Sequence, residues 1–420
     1  MVSAISDSND TLTRTLISPY MQSASSSERL HIAIFGRCNA GKSTLANRIT
    51  GQDLSIVSPV RGTTTDPVQK SMEINGLGPV IIIDTPGLDD DTLLGNERMA
   101  RTAKVLDKSD IAIILLTDED INIEQRLIEE CRVREIPVIV TLAHIDRLPH
   151  YPILQATLSE KLGLEVGAIS ALTGEGIDAL IQSIIALRPT DERLITEGFC
   201  HAGDHVLLVM PQDKSAPKGR LIQPQVQTIR ELLDRGCIPI CCTPNTMPQA
   251  LATLATPPAL IITDSQAFEE VYRLKPEASA LTSFSILFAR YKGDIALFTQ
   301  GVKALETLTP TSRILIAEAC THTPQNEDIG RVKLPRLLRK RFGDTLQIDV
   351  VGGADYPTDL TPYHLVIHCG ACMFNRKHVL SRIERARQQG VPITNYGIIL
   401  AALTDILPRV EVGPNTNINF

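Results

Sequence analysis

Two short stretches carry the side chains best able to do metal or redox chemistry: Cys320-Thr321-His322 and Ile367-His368-Cys369-Gly370-Ala371-Cys372. The pattern is C-x-H, a long gap, then H-C-x-x-C. Three thiols and two imidazoles suffice to hold a metal centre. Three chemistries fit Cys369-x-x-Cys372. One is a thioredoxin-like redox pair, which has no use for a distant Cys320. The second is a zinc site, for which Cys₃His is a common ligand set. The third is an iron–sulfur site with three thiolates and an exchangeable fourth position. Gly370 and Ala371 give the loop little apolar mass, which argues against three unrelated core cysteines. The other six thiols, Cys38, Cys131, Cys200, Cys237, Cys241 and Cys242, fit no ligand spacing and read as small buried apolar residues. Cys241-Cys242 follows the strand-like Ile238-Pro239-Ile240, which favours burial there.

Both thiol stretches come directly after short apolar runs, Ile314–Ala317 and Leu365–Ile367. Such runs read as buried strands of a parallel sheet. Ligands gather at the carboxyl ends of such strands, so two neighbouring strands would bring the thiols together across the gap.

A second constellation lies near the start. The apolar run His31–Phe35 enters Gly36-Arg37-Cys38-Asn39-Ala40-Gly41-Lys42-Ser43, and a helical pattern runs from Thr44 to Thr50. Strand, G-x-x-x-x-G-K-[ST] loop and helix come in the order a phosphate-binding loop requires. Backbone N–H groups from Gly36 to Thr44 would close around phosphates. Lys42 would reach the β and γ oxygens, and Ser43 would ligate Mg²⁺. Further on, Gly62-Thr63-Thr64-Thr65-Asp66 offers a switch threonine for Mg²⁺, read as Thr64. The strand Val80–Ile83 ends in Asp84-Thr85-Pro86-Gly87. There Asp84 would hold Mg²⁺ through water and the Gly87 N–H would sense the γ-phosphate. Ser170-Ala171-Leu172 reads as the loop touching the base.

This set resembles the translation-factor-like GTPases of the Era, EngA and MnmE group, over residues 31–188. The base-reading N-K-x-D of that group is Ala143-His144-Ile145-Asp146 here. Asp146 can accept from N1–H and the exocyclic amine of guanine, so the guanine preference survives. Losing the Asn amide weakens binding by about 1–3 kcal/mol, with His144 stacking on the base as partial replacement. Leu88 follows Gly87, so no Ras-like glutamine positions the water, and slow intrinsic turnover is expected. The resemblance implies that Asn39 binds a potassium ion, which would supply the charge of an arginine finger; a loop Asn that tolerates αL geometry is the alternative.

The chain has 420 residues, 43% hydrophobic, with a formal net charge of -7. That balance opposes a nucleic-acid-holding role, which Lys and Arg would drive. No run approaches the roughly 18 apolar residues of a membrane span. Nine cysteines are an odd count and no disulfide framework, which points to a reducing, cytoplasmic setting. Residues 1–29 are rich in Ser and Thr without an apolar signal core and read as a disordered tail, with organelle import left open.

Three α/β domains are expected: a P-loop domain over 30–190, a small α/β unit over 198–292 and a third α/β unit over 293–420. The middle unit carries no catalytic constellation. Its segments Lys214–Arg220 and Phe284–Lys292 mix basic and apolar residues and suit an interface, or else a solvated loop and a core-facing helix. The cluster Arg336, Arg339, Lys340, Arg341 reads as a solvated helix face.

Behind an Era-like GTPase and a linking α/β domain, the C-x-H…H-C-x-x-C pattern resembles the FeFe-hydrogenase maturation GTPases, the HydF family, from about residue 30 to the end. Asp213–Arg220 and Thr282-Ser283-Phe284-Ser285 share that resemblance. It implies a 4Fe–4S cluster on Cys320, Cys369 and Cys372, with His322, His368, Glu327 or Asp328 as the exchangeable fourth ligand. It further implies a middle domain that forms a homodimer, a diiron precursor received or assembled as cargo, radical-SAM maturases as co-workers, and apo FeFe-hydrogenase as recipient. The competing reading is a ribosome-assembly GTPase with a structural zinc; a thiol oxidoreductase is the third.

Overall fold

The computed structural model describes residues 29–51, 67–89, 95–188, 193–211, 221–319, 328–353 and 355–413. The Ser/Thr-rich tail up to residue 28, Thr64, the loop Lys214–Arg220, Cys320, His322 and Glu327 lie outside the described residues.

The first unit is built on β1 (Leu30–Gly36), β2 (Val68–Ile74), β3 (Gly78–Asp84), β4 (Ile111–Leu116), β5 (Val138–Leu142) and β6 (Val166–Ala168). They form one sheet in the order β2-β3-β1-β4-β5-β6. Only β2 runs antiparallel, against β3. Its exposed-and-buried alternation marks a half-covered edge. Strands β1, β3 and β4 are buried over nearly their whole length, as parallel strands covered on both faces must be. Helices α1 (Lys42–Thr50), α2 (Gly95–Leu106), α3 (Asn122–Val133), α4 (Tyr151–Leu162) and α5 (Ile177–Ala186) supply the cover. Two apolar clusters, one per face, result.

The second unit has β7 (His205–Val209), β8 (Ile238–Cys242), β9 (Leu260–Thr263) and β10 (Ala280–Ser283), in the order β10-β9-β7-β8 and all parallel. Helices α6 (Gln223–Asp234), α7 (Met247–Ala252), α8 (Phe268–Leu274) and α9 (Phe284–Lys292) connect them. Because β8 is an edge strand, its side chains are covered poorly. Cys241 is exposed and Cys242 half-buried, which corrects the expectation that both are core residues. Cys38 is also only half-buried, whereas Cys131, Cys200 and Cys237 are buried as expected.

The third unit has helices α10 (Ile295–Gly301), α11 (Leu334–Phe342), α12 (Arg376–Gln388) and α13 (Tyr396–Leu403), with strands β11 (Arg313–Ala317), β12 (Gln347–Val351), β13 (Leu365–His368) and β14 (Ile393–Asn395) in the parallel order β12-β11-β13-β14. Asp294 caps α10 by accepting from the Leu297 N–H. The basic side chains Arg336, Arg339, Lys340 and Arg341 lie on the exposed face of α11.

One apolar core runs through the second and third units, from Leu207 and Ile261 to Ile314–Ala317 and Ile398–Ala401. Helix α9 lies between the two sheets, with Ile286 and Ala289 in this shared core and Phe284, Leu287 and Phe288 in the second unit's own cluster. Segment Phe284–Lys292 is therefore core, and its interface reading is replaced. At Gly397 a Cβ would lie 2.9 Å from Ile286 Cγ1 and Ser285 Cβ, so glycine lets α13 approach α9.

Candidate functional site

At the first sheet, β1 ends in the phosphate loop and β3 ends beside it. Gly41 sits at φ 86 and Asn39 at φ 61, so the loop turns back on itself, with the Ala40 N–H donating to Arg37 O at 3.2 Å. The Lys42 ammonium donates to the carbonyls of Gly36 (3.0 Å) and Arg37 (2.6 Å), holding the space its phosphate partner would claim. Ser43 Oγ donates to Asp84 Oδ2 at 2.6 Å, which brings the two Mg²⁺ candidates together. Thr64 lies outside the described residues.

The segment after Asp84 is laid against the loop. Leu88 N–H donates to Gly36 O at 3.1 Å. At Gly87 a Cβ would collide with Cys38, so only glycine permits the approach. Burial would raise the Asp89 carboxyl, but hydrogen bonds from Cys38 outweigh it and hold it below its ordinary range. Arg37 turns outward, donating to Glu124 Oε1 at 2.9 Å and pairing with Asp120 at 3.2 Å. This tether of the loop to α3 is invisible in the motif, because Glu124 is 87 residues away.

His144 adopts φ 58, and its Nε2 lies 2.9 Å from Asn39 O. Its ring packs over Gly41, with Cε1 3.1 Å from where a Cβ would stand. The imidazole thus braces the phosphate loop. Asp146 Oδ1 accepts from Ser170 Oγ at 2.6 Å, which holds its carboxyl below its ordinary range and orients it. Ala171 O accepts from Arg48 Nε of α1 at 3.0 Å, fixing the base loop to the helix that leaves the phosphate loop. Gly36, Ala40, Gly41, Lys42, Ser43, Thr44, Asp84, Gly87, His144, Asp146, Ser170 and Ala171 therefore line one end of one sheet.

The cysteine loop stands at the same end of the third sheet. Register Ala317↔His368 places the exits of β11 and β13 side by side. Cys369 N–H donates to Ala317 O at 3.0 Å. The N–H of Ala319, the residue before Cys320, donates to Cys369 Sγ at 3.0 Å, and Ala371 N–H reaches the same sulfur at 3.4 Å. Burial pushes the Cys369 thiol up to about 11 against the pull of these donors. A metal must therefore displace its proton. Ala371 has φ 51, costly for a residue with a Cβ. The conformation is held from outside: the buried Lys292 ammonium of α9 donates to Ala371 O (3.0 Å) and Phe374 O (2.8 Å).

His368 is fully buried. Its Nδ1 faces Cys369 O at 2.8 Å and its Nε2 faces Arg382 Nη1 at 3.2 Å. Burial pushes it down to about 3, so it is neutral, with Nδ1–H donating and Nε2 accepting. Neither nitrogen is left over for a metal, which corrects its candidacy as fourth ligand in this arrangement. Arg382 is buried between Tyr356 and Phe374, each ring centre 4.7 Å from the guanidinium carbon. Glu318 is buried, with Oε2 3.2 Å from Arg331 Nε and Oε1 3.4 Å from the Tyr396 hydroxyl. Among the described residues no three His, Cys, Asp or Glu side chains group tightly enough to hold a metal ion.

The loop then docks on the first unit. Asn375 caps α12, its Oδ1 accepting from His378 N at 3.2 Å. Its Nδ2 donates to Lys108 O (2.8 Å) and Asp110 Oδ2 (3.1 Å). Lys377 Nζ donates to Arg134 O and Glu135 O, and Arg385 pairs with Asp107 at 2.9 Å. Sequence reasoning missed Lys292, Asn375 and Arg382, since no local pattern marks them. Among the described residues no helix is long and apolar enough to cross a membrane.

Residues 296–412 match the family model of the hydrogen maturase F tetramerization domain, residues 195–293 that of the hydrogen maturase F dimerization domain, and residues 31–144 that of the 50S ribosome-binding GTPase. The tRNA modification GTPase MnmE of Legionella pneumophila (strain Corby) is 32% identical over 175 residues, 40% of this chain and 37% of that protein. The MnmE of Zymomonas mobilis is 34% identical over 159 residues, 38% and 32% of the two chains. The chain thus spans only 37% and 32% of the length of these curated relatives. A solved Aquifex aeolicus Era variant bound to GDP.AlF4- aligns at 20% identity and TM-score 0.36, over 54% of this chain and 98% of that one. NFeoB from S. thermophilus bound to GDP.AlF4- and K+ aligns at 29% identity and TM-score 0.30, over 37% and 60%.

Proposed function

The chain belongs to the hydrogen maturase F family, and we propose that it is a GTP-hydrolysing scaffold or carrier for the diiron precursor of the FeFe-hydrogenase active site. GTP and Mg²⁺ bind at the first sheet. Lys42 meets the β and γ oxygens, Ser43 and Asp84 hold Mg²⁺ with Thr64, and the Gly87 N–H reports the γ-phosphate. Asp146, set by Ser170, reads guanine. With Leu88 in place of a catalytic glutamine, turnover is slow. Asn39, in its αL conformation at the loop, is the residue through which potassium would stimulate it; equal rates in K⁺ and Na⁺ remove that part of the reading.

The third unit holds a 4Fe–4S cluster through Cys369, Cys372 and Cys320. The observation that carries this reading is the contact of Ala319 N–H with Cys369 Sγ at 3.0 Å. It brings the chain to the C-x-x-C loop one residue before Cys320. The donor set also fits: N–H groups on the sulfur and the buried cations Lys292 and Arg382 nearby suit thiolates holding an anionic group. When bound, three thiolates leave one iron with an exchangeable position, which suits a carrier that must receive and release. His322, Glu327 and Asp328 remain the fourth-ligand candidates.

The second unit supplies the homodimer. Its edge strand β8 carries Ile238 at 47% exposure and an exposed Cys241, an open row of backbone donors and acceptors on which a second copy can pair. Radical-SAM maturases and apo FeFe-hydrogenase are the partners, in the cytoplasm, with neither nucleic acid nor membrane.

Anaerobic purification tests the reading. A brown protein with iron and sulfide in equal amounts supports it, whereas a colourless one with tight zinc favours the ribosome-assembly alternative. Cys369→Ala should lose the iron while GTP turnover stays within about twofold. Simultaneous loss of both would sink the two-site picture.

A further inference from the structure

Between the first and third units lies a cavity of about 450 Å³, a size typical of small-molecule sites and placed, as such sites often are, at a domain interface. From the first unit it is lined by Arg101 and Lys104, one turn apart on α2, and by Lys108, two residues beyond that helix. From the third unit it is lined by Met373, Phe374 and His378, directly after the cysteine loop. Among the described residues that line it, none is acidic. Lys104 pairs weakly with exposed Asp355 at 3.9 Å. The nearby Asp110 carboxylate is already taken by Asn375 Nδ2 and by the His31 N–H.

A row of cations on a helix is ordinarily a solvated face. Lys108 departs from that. It is half-buried, and among the described residues its ammonium has neither a hydrogen-bond nor an ion-pair partner. Burial alone pulls its pKa below the usual lysine value. A desolvated cation is costly unless an anion joins it. His31 and His378, pushed down by burial to about 4 and about 2, are neutral and able to hydrogen-bond such a ligand.

We infer that this cavity binds a small organic anion, a phosphate ester or carboxylate with a compact apolar body. The anionic end sits against Lys108, Arg101 and Lys104, and the apolar body against Phe374, Met373 and Val105. A pocket of about 450 Å³ suits a compact ligand rather than a length of RNA or protein. The site is separate from the phosphate loop and borders the cysteine loop at Met373, and no thiol is among its described lining residues. Because α2 follows the Asp84–Gly87 segment, a ligand here and a nucleotide there are placed to influence one another, reciprocally if at all.

The test uses the full chain saturated with Mg–GDP, so that the phosphate loop is filled. Phenyl phosphate, benzoate and inorganic phosphate are titrated by calorimetry, with phenyltrimethylammonium as the cationic control. Phenyl phosphate or benzoate should bind with a dissociation constant below a millimolar, and phenyl phosphate more tightly than inorganic phosphate. Lys108→Met and Arg101→Gln should each weaken binding at least tenfold, Lys108→Arg should restore it, and Lys340→Gln on the exposed face of α11 should change nothing. No heat from any anion would overturn the inference. So would equal losses in Lys108→Met and Lys340→Gln, which would reduce the effect to general charge. Should Lys108→Met fail to fold, Arg101→Gln decides.

Discussion

The phosphate loop and the cysteine loop both stand at the carboxyl ends of parallel strands, yet they are built in opposite ways. In the first, the loop supplies much of its own support: Lys42 rests on carbonyls five and six residues away. In the second, nearly every support is remote. Lys292 reaches Ala371 across 79 residues, Ala319 reaches Cys369 across 50, and Asn375 touches His31 across 344. A locally built site can move between proteins as a motif. A remotely built one exists only when the whole fold is in place, and it feels changes in any of the units that frame it.

The largest test of that contrast is Lys42→Ala. GTP turnover should fall by about 100-fold or more, because a charge aimed at the transferring phosphoryl is lost. Iron content should not change; if it fell too, the two sites would not be separable.

Acid comes next. His31 is pushed down to about 4, His368 to about 3 and His378 to about 2 by burial, so all three stay neutral when folded and charge on unfolding. The unfolded chain therefore binds more protons below pH 6.5, and stability falls as pH drops. Asp110, pushed up to about 6 by burial, keeps its proton longer when folded and offsets part of this below pH 6. The net loss between pH 6.5 and 5 should be about 4 kcal/mol, read from urea midpoints. His378→Phe should cut that loss by about half; an unchanged slope would mean that the docked face does not govern acid stability.

Asn375→Ala removes a helix cap and the bonds to Lys108 and Asp110 together. It should cost about 1–2 kcal/mol in urea unfolding, with GTP turnover nearly unaffected. The smallest effect is expected for Ser170→Ala, which frees Asp146 from its orienting hydroxyl. GTP should bind roughly 3- to 10-fold more weakly, and an unchanged affinity would show that Asp146 needs no such support.

Much of the fold was legible. The apolar runs Ile314–Ala317 and Leu365–Ile367 are buried neighbouring strands, and the G-x-x-x-x-G-K-S loop lies between strand and helix. Edges were harder. The edge strand β2 and the short strands β6, β10 and β14 were not anticipated, because a half-covered edge or a run of three or four residues leaves no clear period. Cys241 looked buried because strand sequence alone does not say whether a strand lies inside a sheet or at its rim. His144 was read as a base-stacking group, and the contact of its ring with Asn39 O and Gly41 was not foreseen.

Phosphate-loop chemistry was determined by the sequence alone, since glycines, lysine and serine at fixed spacing set local backbone geometry. The pairing of two distant thiol stretches was also implied there, by the strand that precedes each. Only the tertiary structure decided that His368 spends both nitrogens on the protein, that a lysine from another unit holds Ala371 in a strained conformation, and that Asn375 joins the cysteine loop to the GTPase unit. The reason is physical: these depend on burial and on hydrogen bonds between residues far apart in the chain, and neither quantity exists until the sheets have packed.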